Sequence, residues 1–256
     1  MLIRLGALLL AMLIPVLPAG ADSSSPLLAA YYDRQMAIVG QTAYGWQGTD
    51  RPWRIHDAAV QVGVGRSSYF VLTTGGALLK FGTSSPKSRL VADGVARFAA
   101  GRTGVLAILK SGALWWIATD GDKRKIADSV ATAAVGDSAN YYVSETGALF
   151  VKGLAHRGQY GDGRLTTTDR FVQTAADVAA ITAHTGHAIL MTKSGDVLGT
   201  GGNIYGPVGR HGLGDKAVRW SRILSGAAAI ATGSSHSLAI LPGGILMAWG
   251  ADYGPD

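Results

Sequence analysis

The sequence contains no cysteine. That excludes a disulfide framework and a lipid-anchored N-terminal cysteine, so packing and hydrogen bonds must hold the fold. Charged residues are scarce, at 16% against 48% hydrophobic residues, a balance too apolar for a disordered chain. After the first twenty residues there is no second long apolar run, hence no candidate for an internal membrane span. Helical periodicity is also missing. Glycine, by contrast, is abundant: 36 residues that follow no collagen period and so indicate many turns.

The N-terminus reads as a processing signal. Met1-Leu2-Ile3-Arg4 is a short positive start, an apolar run broken by Pro15 follows, and Ala19-Gly20-Ala21 is a small-residue cleavage site. We expect a signal peptide over 1–21 and a mature domain over 22–256, secreted or periplasmic, with no membrane attachment after cleavage. Loss of Arg4 lowers the net charge only from +6 to +5. The remaining basic residues are scattered, which indicates solvated strand ends rather than a nucleic-acid surface.

A repeat organises the rest. Glycines recur eleven residues apart at Gly65 and Gly76, Gly101 and Gly112, Gly136 and Gly147, and Gly233 and Gly244, with His184 and Gly195 keeping the same interval. Counting from the first member of each pair, the fifth position holds Phe70, Leu106, Tyr141, Ile189 and Leu238. The seventh holds Leu72, Ile108, Val143, Met191 and Ile240, and the seventeenth Gly82, Ala118, Gly153, Gly201 and Gly250. Positions five and seven lie on one face of a strand, because side chains alternate. Two short apolar strands joined by a glycine turn make an antiparallel hairpin. One hairpin cannot cover its own apolar face, so neighbouring units must do so. A period of 35 to 49 residues with several strands per unit indicates a propeller or a β-solenoid. A degenerate first copy is read by aligning 23–40 on 233–250.

The last copy, "GSSHSLAILPGGILMAWG", resembles the repeat of the regulator of chromosome condensation family, and "GQYGDGRLTTTDRFVQ" resembles the loop and outer strand that follow it. Gly202-Asn203 stands where that family places Gly-Asn. The resemblance implies a β-propeller, usually of seven blades. Nucleotide exchange on a nuclear GTPase is not implied, since the repeat motif carries the fold alone. Exported bacterial members, including a β-lactamase inhibitory protein that binds through propeller loops, are the better analogy of type.

Only "ADYGPD" follows Gly250, whereas earlier units continue much further. We therefore expect an all-β propeller of five clear repeats and one degenerate repeat, with its last blade incomplete through truncation at the C-terminal end.

The motifs for chemistry are weak. His187 and His236 share the third repeat position, where other copies have Ser68, Gly104 and Ala139; a general base would not recur in this way, so both read as structural. Asp162-Gly163-Arg164 lacks the alternating acids of a calcium loop. Gly201-Gly202 and Gly206 precede no helix, so they are not a phosphate cradle. No strand–turn–helix context for a nucleophile is present. We expect no catalytic residue, cofactor or metal.

Extra chain sits at 156–169 and 203–220, and loops on a rigid scaffold are where binding residues concentrate. His156, Arg157, Gln159, Tyr160, Arg164, Tyr205, Arg210 and Trp220 are the candidate contacts. The expected function is a monomeric, non-catalytic scaffold that binds another protein. The alternatives are a carbohydrate- or cell-wall-binding propeller and an extracellular hydrolase.

Overall fold

The computed structural model describes residues 28–85, 87–209 and 214–251, so the segment read as a signal peptide lies outside the described residues. Every sheet is an antiparallel meander whose strands pair in chain order. The first sheet holds β1 (Leu28–Tyr31), β2 (Arg34–Val39), β3 (Thr42–Gln47) and β4 (Trp53–His56). The second holds β5 (Ala59–Gly65), β6 (Ser68–Thr73), β7 (Leu78–Gly82) and β8 (Ser88–Ala92). The third holds β9 (Val95–Ala100), β10 (Gly104–Leu109), β11 (Leu114–Ala118) and β12 (Lys123–Ala127). These three sheets make one compact unit, Met1–Ala127.

The second unit, Asp128–Asp256, is built in the same way. Its sheets are β13 (Val130–Val135), β14 (Ala139–Ser144), β15 (Leu149–Gly153) and β16 (Thr168–Ala175); β17 (Val178–Ala183), β18 (His187–Thr192), β19 (Val197–Gly202) and β20 (Lys216–Leu224); and β21 (Ala229–Thr232), β22 (His236–Leu241) and β23 (Ile245–Gly250). A single 3-10 turn, Pro242–Gly244, joins the last two strands, and there is no α-helix among the described residues. Six sheets of this kind are the blades of a propeller, and the sixth has three strands among the described residues.

The repeated glycines are explained by two local needs. Gly76, Gly112, Gly147 and Gly195 turn the second strand of a blade into the third with φ between +81° and +96°, which a side chain adopts only with strain. Three of them do a second job: Val95, Val178 and Ala227 donate their N–H to the carbonyls of Gly76, Gly147 and Gly195 at 2.9 Å, so each turn also anchors the next blade. At the seventeenth repeat position, Gly153 and Gly201 have φ of +127° and +103°. A β-carbon at either would stand 2.5 or 2.4 Å from the carbonyl oxygen of Ser138 or Gly186.

The apolar interior is divided among the seams between consecutive sheets. In the first unit one cluster joins Tyr31, Met36 and Ile55 to Val62, Tyr69 and Phe81, and a second joins Phe70, Leu72 and Leu78 to Phe98, Val105 and Ile117. In the second unit Tyr141, Leu149 and Val151 meet Val178, Ile181 and Leu190, while Ile189 and Val197 meet Ala227 and Ala239. Buried polar side chains stitch the same seams. Gln61 on β5 donates from Nε2 to Phe98 O (2.6 Å) and accepts Phe98 N–H on β9 (3.1 Å).

The first blade corrects the register read from the sequence. Aligning 23–40 on the last hairpin makes β1 and β2 the glycine-turn pair. In the structure the glycine turn is Gly40, with φ +64°, between β2 and β3. The hairpin of β1 and β2 instead turns at Tyr32-Asp33, the place of the inner turn in other blades. That alignment sets Arg34 opposite the turn glycine Gly244, whereas the glycine turn of this blade lies one strand further on.

Candidate binding surface

In the second unit the connections from third to outer strand, 154–167 and 203–215, are far longer than the corresponding 83–87 and 119–122 of the first unit. Both are held from within. Tyr160 is fully buried. Its hydroxyl donates to Gly153 O (2.8 Å) and accepts the N–H groups of Gly153 and Thr168 (both 3.2 Å). Gln159 is 1% exposed; its Oε1 accepts Arg157 N–H (2.9 Å), and its carbonyl accepts Tyr141 Oη–H (2.9 Å). These two side chains organise the first loop from the inside, so their assignment as partner contacts is corrected.

Trp220 is likewise not a free platform. It packs against the cluster around Tyr160, and a β-carbon at Gly161 would lie 2.4 Å from its Nε1. Gly163 N–H donates to Val218 O and Trp220 N–H to Gly161 O, which clips the first loop onto β20. Thr200 Oγ1 on β19 donates to both Gly158 O (2.7 Å) and Ala217 O (3.0 Å). The first loop thus rests on the blade that carries the second.

Asn203 performs the same service for the second loop. Its Nδ2 donates to Gly209 O (2.9 Å) and Gly214 O (3.2 Å), and its Oδ1 accepts Val208 N–H (3.2 Å). Pro207 O then accepts Ser237 Oγ–H and Trp249 Nε1–H, both at 2.8 Å. The Gly-Asn and Trp-Gly signatures of the repeat are loop fasteners.

What remains exposed is a mixed surface. His156, Arg157 and Arg164 face solvent. Arg157 runs over the second loop's root, since a β-carbon at Gly202 would stand 3.3 Å from its Cδ. Arg164 pairs with Asp162 (2.7 Å) and lies 5.8 Å from the Tyr160 ring centroid. Tyr205 and Ile204 are 54% and 62% exposed at the start of the second loop, directly after Asn203, and Leu154 and Leu165 are exposed on the first. Sequence reasoning missed Leu154, Leu165 and Ile204. Their signal is an isolated large apolar residue within a run of glycine and polar residues, where no strand pattern calls for one. Arg210 lies outside the described residues.

The shared histidine position is structural at His187, which is 3% exposed and sits 3.2 Å from Ser237 Oγ on the next blade. Burial is the main cause that pushes its pKa down to about 3, with His184 nearby adding to the effect. Burial also lowers the pKa of His184 and of His236. Among the described residues no group of three His, Asp or Glu side chains is placed to hold a metal ion.

No protein-family model and no curated protein matches the sequence. Solved structures do. Prp20p of Saccharomyces cerevisiae, described with its binding to Gsp1p and histones, superposes with a TM-score of 0.75 at 16% identity, over 87% of this protein and 71% of that one. Human WBSCR16 gives the same score and identity over 87% and 75%. The CRINKLY ectodomain of the Arabidopsis thaliana receptor kinase ACR4 gives 0.55 at 11% identity, over 85% and 76%.

Proposed function

This protein has the β-propeller fold of the yeast regulator of chromosome condensation, Prp20p, and on that premise we propose that it is an exported, non-catalytic scaffold that binds another protein through loops 154–167 and 203–215. The observation that carries the reading is the pairing of internally fastened loops with exposed apolar side chains. Tyr160 and Asn203 fix the loops, while Leu154, Leu165, Ile204 and Tyr205 leave apolar area in solvent beside Arg157 and His156. Tyrosine and arginine are among the residues enriched in binding hot spots, and Tyr205 and Arg157 supply both here. Prp20p binds proteins, and the CRINKLY domain is an ectodomain, so the fold is used both for protein recognition and outside the cell. Export itself rests on the pattern of residues 1–21.

The test is affinity capture from envelope and culture fractions with the mature protein. Wild type and an Arg124→Ala control should recover the same partner, and the combined Leu154→Ser, Ile204→Ser and Tyr205→Ser variant should lose it. Recovery of that partner by the triple variant defeats the loop assignment. Export is read separately: the purified native protein should begin at Asp22 in the exported fraction, and a cytosolic protein retaining Met1 defeats it.

A further inference from the structure

From the geometry we infer that the first unit carries a binding site for a phosphate dianion, formed by Arg66 and Arg102 over the β1–β2 turn. The two arginines occupy one repeat position, directly after Gly65 and Gly101, in the inner turns of neighbouring blades. Those turns abut, since a β-carbon at Gly65 would stand 3.0 Å from Gly101 O. Arg66 and Arg102 line a concavity of about 730 Å³ together with Tyr31, Tyr32, Asp33 and Arg34. That is within the range of small-molecule sites, roughly 300 to 1,000 Å³.

The charge balance selects the ligand. Asp33 is committed: its carboxylate accepts Gln47 Nε2–H (2.6 Å) and lies 3.6 Å from Arg34 Nη1. The Nε of Arg34 is buried and has no acceptor. Arg66 and Arg102 have no acidic or carbonyl partner among the described residues, so two exposed guanidinium charges stand uncompensated in the lining. A guanidinium presents donors in a planar fork that fits phosphate and carboxylate oxygens in pairs. One phosphate monoester or inorganic phosphate, with a charge between about −1.5 and −2 at neutral pH, matches two such forks. The equivalent position in the second unit holds Asp137, Thr185 and Ser234, so the device is confined to these blades. Tyr32, in the two-residue β1–β2 turn whose geometry accounts for its φ of +55°, is 64% exposed and adds a ring to the same lining.

Isothermal titration of the mature protein with inorganic phosphate at pH 7.5 should give saturable 1:1 binding. The Arg66→Ala/Arg102→Ala variant should bind at least tenfold more weakly, and Arg124→Ala should bind as wild type does. Phosphoserine and phenyl phosphate as further titrants tell an organic phosphate from the free ion, with tighter binding of phenyl phosphate expected if Tyr32 contributes its ring. Arg102→Gln alone, with a thermal melt matching wild type, repeats the test where the double variant folds poorly. Absence of saturable phosphate binding, equal binding by the double variant, or succinate bound in preference to every phosphate would each overturn the assignment. None of these outcomes bears on the loops of the second unit.

Discussion

At Gly201 a single methyl group decides whether a blade can close. Its β-carbon would meet Gly186 O at 2.4 Å, and its φ of +103° is one that side chains rarely adopt. Gly201→Ala should lower unfolding free energy by about 2 to 4 kcal/mol, read by urea denaturation, because strain and a backbone clash add. Tyr160→Phe should cost about 1 to 2 kcal/mol, since it takes the hydroxyl acceptor from the half-buried N–H groups of Gly153 and Thr168. His187 sets a pH dependence. Its folded pKa of about 3 lies below the ordinary 6.5, so the unfolded protein binds the proton first as pH falls. Its contribution is complete above about pH 6.5 and is lost on acidification; between pH 7 and pH 5 this amounts to about 2 kcal/mol. Thermal melts over that range should show the fall, and His187→Gln should lessen it, leaving the parts due to His184 and His236, while lowering the melting temperature at pH 7.

The strands and their turns are legible in the sequence because their physics is local. Alternating Leu72 and Phe70, or Ile108 and Leu106, mark a strand face, and Gly112 marks its turn. The loops are not legible, because what buries Gln159 and Tyr160 is the neighbouring blade, and nothing in "HRGQYGDG" says which side chains turn inward. The first blade is misregistered by alignment for a related reason. Its turn needs only one positive-φ glycine, Gly40, with Gln41 beside it, and a two-residue turn carries too little pattern to align. β23 offers an expectation at this scale. Its outer edge has no paired strand among the described residues, and Ile245, Leu246 and Met247 are 41% to 57% exposed. An apolar strand edge of this kind templates association. Leu246→Lys should reduce light scattering on concentration while shifting stability by no more than about 0.5 kcal/mol.

Across the whole molecule the net charge is +6, and the two proposed binding surfaces lie in different compact units. Loops 154–167 and 203–215 combine arginine with exposed apolar side chains, while Arg66 and Arg102 sit in the other compact unit. Arg157 is exposed on the loops, so binding of the partner proposed above should weaken as salt rises wherever it presents acidic groups to that arginine, and the slope should lessen in Arg157→Ala, measured by titration between about 50 and 300 mM salt, where screening shortens to within about 10 Å. The interior itself is partitioned, with Val105 and Phe98 serving one seam and Leu190 and Val178 another. A change in one seam is therefore heard by two sheets and hardly by the rest. Amide hydrogen exchange would make this visible. Val105→Ala should hasten exchange along β5 to β12 and leave the amides of β17 and β18 at their original pace, so that the protein loosens the way a stack of cards slips rather than the way a droplet melts.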